Sequence, residues 1–227
     1  MARFDPETYS DAVAFARIGE GSLGGKARGL AFMNSMILKH RLYDKHANVR
    51  IMIPRSVVIA TDYFDDFIRL NGLKYIISQE FSDEEILSEF VSSTVPARLQ
   101  QELKAYIQTV RTPLAVRSSS KLEDSHYQPF AGIYSTYMIP YVDNGDQMLR
   151  LLLKAVKSVY ASVYFATSRA YLSSSQNLIS EEKMAVIIQE VCGTEQDGLF
   201  FPTFSGVARS INYYPIGDEA PADSVCN

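Results

Sequence analysis

The chain has 227 residues, 47% hydrophobic and 21% charged, with a formal net charge of −4. This balance fits a globular protein with one large core or two small ones, and it excludes a broad basic face for nucleic acid. Its two cysteines, Cys192 and Cys226, exclude a disulfide framework, and no apolar run is long enough to span a bilayer, so the reading places the protein in the cytoplasm with no membrane partner.

In chain order, "PETYSDAVAFARI" reads as a short helix. Leu30, Ala31, Asn34, Ile37 and Leu38 recur at helical spacing and predict a helix over 27–40. "VRIMIP" and "SVVIAT" read as strands split by Pro54, after which Thr61 is placed to cap the helix "DYFDDFIRLN", ending at Gly72. Ser82 and Glu85 form a capping-box pair ahead of "ILSEFVSS". Pro96 opens another helix whose stripe is Leu99, Leu103, Ile107 and Val110.

The second half is richer in strands. "PLAV" runs into Arg117, and "GIYSTYMIP" is β-branched and aromatic. A long helix is expected over 146–172, buried along Leu149, Leu152, Leu153, Val156, Val159, Tyr160 and Val163. "KMAVIIQEV" reads as a strand buried on both faces, and "GLFF" with "GVARSINYY" as a further hairpin. The tail "IGDEAPADSVCN" shows no pattern. The switch from helices to strands divides the chain into 1–112 and 113–227.

Three stretches carry possible chemistry. In "GSLGGKARGL", Gly24 and Gly25 open the backbone beside Lys26 at a helix start, an arrangement suited to a phosphate. The same residues also fit a flexible turn with a solvated lysine. The Walker pattern fails, because Glu20 stands where it needs glycine and Ala27 where it needs Ser or Thr. "GEGSLG" matches G-x-G-x-x-G, but no strand is evident before it.

In "PLAVRSSSKLEDS", Arg117 ends a strand and Ser118 and Ser119 follow. A guanidinium fork with neighbouring hydroxyls grips phosphate oxygens, although a salt bridge to Glu123 or Asp124 would use the arginine equally well. In "VIIQEVCG", Gln189, Glu190 and Val191 either offer main-chain groups to a flat base or simply end a core strand. His40, His46 and His126 lack ligand spacing, and no metal is assigned to them.

Taken together, "LGGKARGLAFM", "IPRSVVIATDYFDDFI", "LAVRSSSKLEDSHYQPFAGIYSTYM", "MAVIIQEV" and "SGVARS" resemble the N-terminal nucleotide-binding domain of the phosphoenolpyruvate synthase and pyruvate phosphate dikinase family. The likeness runs from Gly19 to Pro215, and the central block is its specific part.

The resemblance implies an α+β, ATP-grasp-like fold of two subdomains, incomplete at the C-terminus. It implies ATP held by Lys26 and Arg117 at its phosphates, with Ser210 near them and Glu190 and Val191 beside the adenine. It implies Mg²⁺ with ligands beyond the chain's end, and transfer of a phosphoryl group to a histidine on a separate domain and then to pyruvate. On that reading the chain is a fragment of a longer multidomain protein, inactive alone. Two other roles stay open: a non-catalytic, regulatory nucleotide-binding module, and a related dikinase with another acceptor. The family's "FAGQQ" stands here as "FAGIY", which puts polar contacts from that turn in question.

Overall fold

A computed structural model of the chain describes residues 1–9, 15–77, 79–120, 133–174, 182–209, 211 and 225–226. The chain divides into a larger unit, Met1–Val191, and a smaller one, Cys192–Asn227. The fold is mixed α and β.

The larger unit is organised by a mixed six-stranded sheet in the order β1-β2-β3-β6-β4-β5. Its strands are β1 (Ala2–Arg3), β2 (Phe15–Ile18), β3 (Ser56–Ile59), β4 (Leu114–Ser120), β5 (Thr136–Ile139) and β6 (Met184–Glu190). β1, β2 and β3 are mutually parallel, and the remaining pairs are antiparallel. The change of fold character at 112–113 falls inside this sheet, because β4 pairs with β6 and β6 with β3.

Among the described residues, six α-helices accompany the sheet: α1 (Gly24–Lys39), α2 (Thr61–Leu70), α3 (Asp83–Ser92), α4 (Ala97–Ile107), α5 (Gly145–Ala161) and α6 (Ala166–Ser174). Strand alternation sorts the sheet's side chains into two faces. Val57, Ile59, Leu114, Val116, Met184, Val186 and Ile188 join the large core with residues of α2 to α5. Phe15, Val58, Ala185 and Ile187 form a small second cluster with Ala27 of α1. Among the described residues no helix is long and apolar enough to cross a membrane.

Several expectations hold at the level of elements. The Ser82–Glu85 capping box is formed in both directions, and the α4 stripe is buried. β6 is buried on both faces through Ile188. Others are corrected. Phe15–Ile18 is a strand between β1 and β3, not part of a helix, because pairing on both sides buries it. "VRIMIP" forms no strand beyond an isolated bridge from Val49 to His46; pairing in the sheet begins at Ser56, after Pro54. The single helix expected over 146–172 is two, separated by an extended Phe165 with φ −64° and ψ 155°. The Asp83 carboxylate accepts from the Ala166 amide at 2.8 Å and caps the new start.

In the smaller unit, "GLFF" pairs with a segment not foreseen as a strand. β7 (Thr194–Gln196) and β8 (Leu199–Phe201) form a hairpin whose turn, Asp197–Gly198, has positive φ at both residues. β9 (Ala208–Arg209) pairs with β10 (Val225–Cys226), so the tail read as patternless includes a strand.

Candidate functional site

β2, α1 and β3 make a βαβ crossover, with α1 beginning six residues after β2 ends. A strand therefore does precede "GEGSLG", contrary to the sequence reading. The start of α1 lies against β4. β5 pairs only with Leu114–Arg117, leaving Ser118–Ser120 of β4 beyond its reach. A Cβ on Gly24 would sit 1.8 Å from the Ser119 carbonyl oxygen, and Gly24 has φ +70°. Only glycine permits both the conformation and the approach.

Ser119 links the two elements. Its hydroxyl donates to the Leu23 carbonyl at 2.8 Å and accepts from the Ala27 amide at 3.0 Å. The Gly24 amide donates to Ser22 Oγ at 3.4 Å. Of the donors that a helix start leaves without intrahelical partners, the Gly24 amide is thereby satisfied inside the protein, and Ser119 bridges the first turn from the Leu23 carbonyl to the Ala27 amide. α1 has no acidic residue in its first turn, so nothing there opposes an approaching anion. Gly25 is buried beside it, and Lys26 Nζ donates to Ser118 Oγ at 3.2 Å.

The sequence reading ended the strand at Arg117 and placed the serines after it. They are in the strand and fully buried. Arg117 pairs across the sheet with Ile187, a residue of the α1-side cluster, so its guanidinium lies on the α1 face. There Arg117 Nη1 donates to Gln189 Oε1 at 3.3 Å, and Gln189 Nε2 donates to Ser56 Oγ at 3.1 Å. Ser56 Oγ in turn donates to the Pro54 carbonyl at 2.8 Å. This row crosses β4, β6 and β3 and sets the orientation of the Gln189 amide. Glu123 and Asp124, the carboxylates considered for Arg117, lie outside the described residues, as do Ser210 and the "FAGIY" turn up to Gly132.

At the end of β6, Glu190 forms an ion pair with Arg55, whose Nε lies 3.0 Å from Oε1, and accepts from Thr112 Oγ1 at 3.3 Å. The Glu190 amide donates to the Arg55 carbonyl and the Val191 amide to the Pro113 carbonyl, both at 2.9 Å. The amide donors of these two residues are thus engaged in the sheet, and their carbonyl oxygens are what they could present to a base. The Arg55 guanidinium also stacks over the Tyr9 ring, 4.8 Å from its centroid. Burial pushes the Tyr9 hydroxyl up to about 12.

Sequence reasoning missed Ser56, Arg55 and the pair Thr61–Asp62. Thr61 was read as a helix cap; instead Ala60 occupies the cap position of α2 without a side-chain bond, and Thr61 Oγ1 accepts from the Ser22 amide at 2.9 Å. No periodicity signals a contact made across 39 residues of chain. Among the described residues, no group of three or more His, Cys, Asp or Glu side chains could hold a metal ion.

The positive end of α1 and the Lys26 ammonium meet β4 at Ser119 and Ser118, and the Arg117 guanidinium leaves the next residue on the α1 face, while Ser118, paired with Val186 of the large core, points to the other; each group has the chemistry to bind an anion. Comparison with known proteins points the same way. The family model described as "Pyruvate phosphate dikinase, AMP/ATP-binding domain" matches residues 20–224. An uncharacterized phosphotransferase, YvkC, of Bacillus subtilis is 28% identical over 193 residues, covering 84% of this chain and 20% of the relative. The phosphoenolpyruvate synthase of Aeropyrum pernix is 24% identical over 200 residues, covering 79% of this chain and 22% of its own length. A probable phosphoenolpyruvate synthase of Staphylothermus marinus is 25% identical over 175 residues, or 66% and 20% of the two chains. The chain therefore spans about a fifth of the length of the curated relatives it matches.

Proposed function

The chain belongs to the pyruvate phosphate dikinase AMP/ATP-binding domain family, and from that premise we propose that it is the ATP-binding part of a phosphoenolpyruvate synthase-like phosphotransferase of the cytoplasm. Its fold is ATP-grasp-like, and it holds ATP where the start of α1 meets β4. The terminal phosphoryl group passes to a histidine on a separate domain and then to pyruvate, which enters through domains outside this chain.

Lys26 and Arg117 hold the phosphates, with Gly24 and Gly25 at the positive end of α1. Ser118 and Ser119 serve the site by holding Lys26 and α1 in place. Gln189 orients Arg117, while Glu190 and Val191 present their main chain to the adenine.

Phosphoryl transfer rests on positioning and on neutralising oxygens, with little covalent work for the protein. Two cations anchored on one strand meet that need. The observation that carries the reading is the seating of the acid-free start of α1 against β4, with Lys26 on Ser118, the residue next to Arg117. Mg²⁺ bound to the phosphates would add charge neutralisation; among the described residues no group of three or more His, Cys, Asp or Glu side chains could hold the ion.

Calorimetric titration of ATP into the chain and into Lys26→Ala and Arg117→Ala tests the assignment. Each variant should lose about 1.5–3 kcal/mol, roughly ten- to a hundredfold in affinity. Wild-type affinity in both variants would overturn it.

A further inference from the structure

The glycine-rich loop between β2 and α1 is clasped by the start of α2. The Asp62 carboxylate accepts from the amides of Glu20 at 2.9 Å and Gly21 at 3.1 Å, through different oxygens. Thr61 Oγ1 takes the next amide, that of Ser22, at 2.9 Å. In the other direction, the Thr61 amide donates to the Ser22 carbonyl and the Ala60 amide to the Ile18 carbonyl, both at 2.9 Å.

The fit leaves no room for a side chain at Gly19 or Gly21. A Cβ on Gly19, where φ is +93°, would lie 2.5 Å from Asp62 Oδ1, and one on Gly21 would lie 2.6 Å from the Asp62 amide nitrogen. Successive amides that converge in a turn form an anion-binding concavity. Here the protein's own carboxylate fills it. The first two glycines of "GEGSLG" therefore serve the packing of the loop on α2, not the approach of a ligand.

Resting on the nucleotide-phosphate reading above, we propose that Thr61 and Asp62 are positioning residues of the phosphate site. By holding residues 20–22 they fix where α1 begins, and so direct the incoming phosphates to Gly25 and Lys26 instead of the earlier amides. Asp62 lies in the first turn of α2, with its carboxylate turned back onto the loop.

The test compares wild type with Asp62→Ala, Thr61→Val and Thr61→Ser by ATP titration and by amide hydrogen exchange. Asp62→Ala and Thr61→Val should speed exchange at residues 20–22, leave β6 protected, and lower ATP affinity by about tenfold or more. Thr61→Ser keeps the acceptor oxygen and should restore both protection and affinity relative to Thr61→Val. ATP affinity kept within about twofold while the loop amides are exposed would overturn the proposal. So would unchanged loop exchange, or loss of β6 protection alongside the loop, which marks a general defect of folding. If Asp62→Ala does not fold, the Thr61→Val and Thr61→Ser pair decides alone. If Lys26→Ala binds ATP normally, the phosphate reading itself fails; if Lys26→Ala loses ATP and the clasp variants do not, only this inference fails.

Discussion

The two faces of the central sheet are built to different rules. On the face toward α2–α5, Val116, Val186 and Ile188 meet a continuous apolar core in which Phe67, Phe90 and Tyr160 pack ring against ring. On the face toward α1, the apolar cluster has five buried members among the described residues, and beside it run Ser56, Gln189 and Arg117 in a hydrogen-bonded row. Alternate residues of the same strands supply both. Stability is concentrated on one side, which leaves the other free to carry polar groups that contribute little to folding but present charge to a ligand.

The contrast can be broken first on the apolar side. Phe67 is fully buried, with ring centroids 5.7 Å from Phe90 and 5.5 Å from Tyr160. Phe67→Ala should cost about 3–5 kcal/mol of stability. Denaturant unfolding measures the loss, and in protein that remains folded the affinity for ATP should be unchanged. A large loss of affinity without a loss of stability would show that the faces do not divide the labour in this way.

A smaller effect is expected on the polar side, where both properties should move together. Gly24→Ala forces a Cβ into a left-handed backbone and against the Ser119 carbonyl. The backbone conformation alone costs about 1–3 kcal/mol. Thermal unfolding and ATP titration should both register the change, because the same junction seats α1 and aims Lys26. Full ATP affinity in this variant would separate the seating of α1 from the site.

The smallest effect concerns pH and belongs again to the apolar side. Tyr9 ionises at about 12 in the folded state, against an ordinary value of 10. The folded pKa is raised, so the contribution is whole below pH 10 and is lost as pH rises toward 12. By pH 10.5 the loss should be on the order of 1 kcal/mol. Burial shifts Tyr63, Tyr160 and Tyr164 in the same direction. Alkaline unfolding of wild type and Tyr9→Phe measures it; an equally steep decline in the variant would remove Tyr9 from the explanation.

Legibility followed locality. The Ser82–Glu85 capping box, the α4 stripe and the apolar run of β6 are patterns within a few residues of chain, and all three appear in the fold. The helix read over "PETYSDAVAFARI" failed at Phe15–Ile18 because the partners that make it a strand are remote, the nearer being β1 and the other β3 at Ser56–Ile59. The break at Phe165 was invisible because its cap, Asp83, is supplied by α3. At the site, Lys26, Arg117 and Gln189 could be named from residue type and context. Their placement could not: Ser56 beneath Gln189 and Arg55 against Glu190 lie more than a hundred residues away in the chain.

The amino-acid sequence by itself determined the family, the element types with strong local periodicity, and which cations were available for a polyphosphate. Only the tertiary structure decided that Gly24 rests on Ser119, that Asp62 fills the first turn of the glycine-rich loop, and that Arg117 and Gln189 share a face. Periodicity and capping act over one or two turns of backbone and leave a trace in neighbouring residues. Close approach and hydrogen bonding between distant segments depend on how strands pair and helices cross, and a linear pattern carries no record of them.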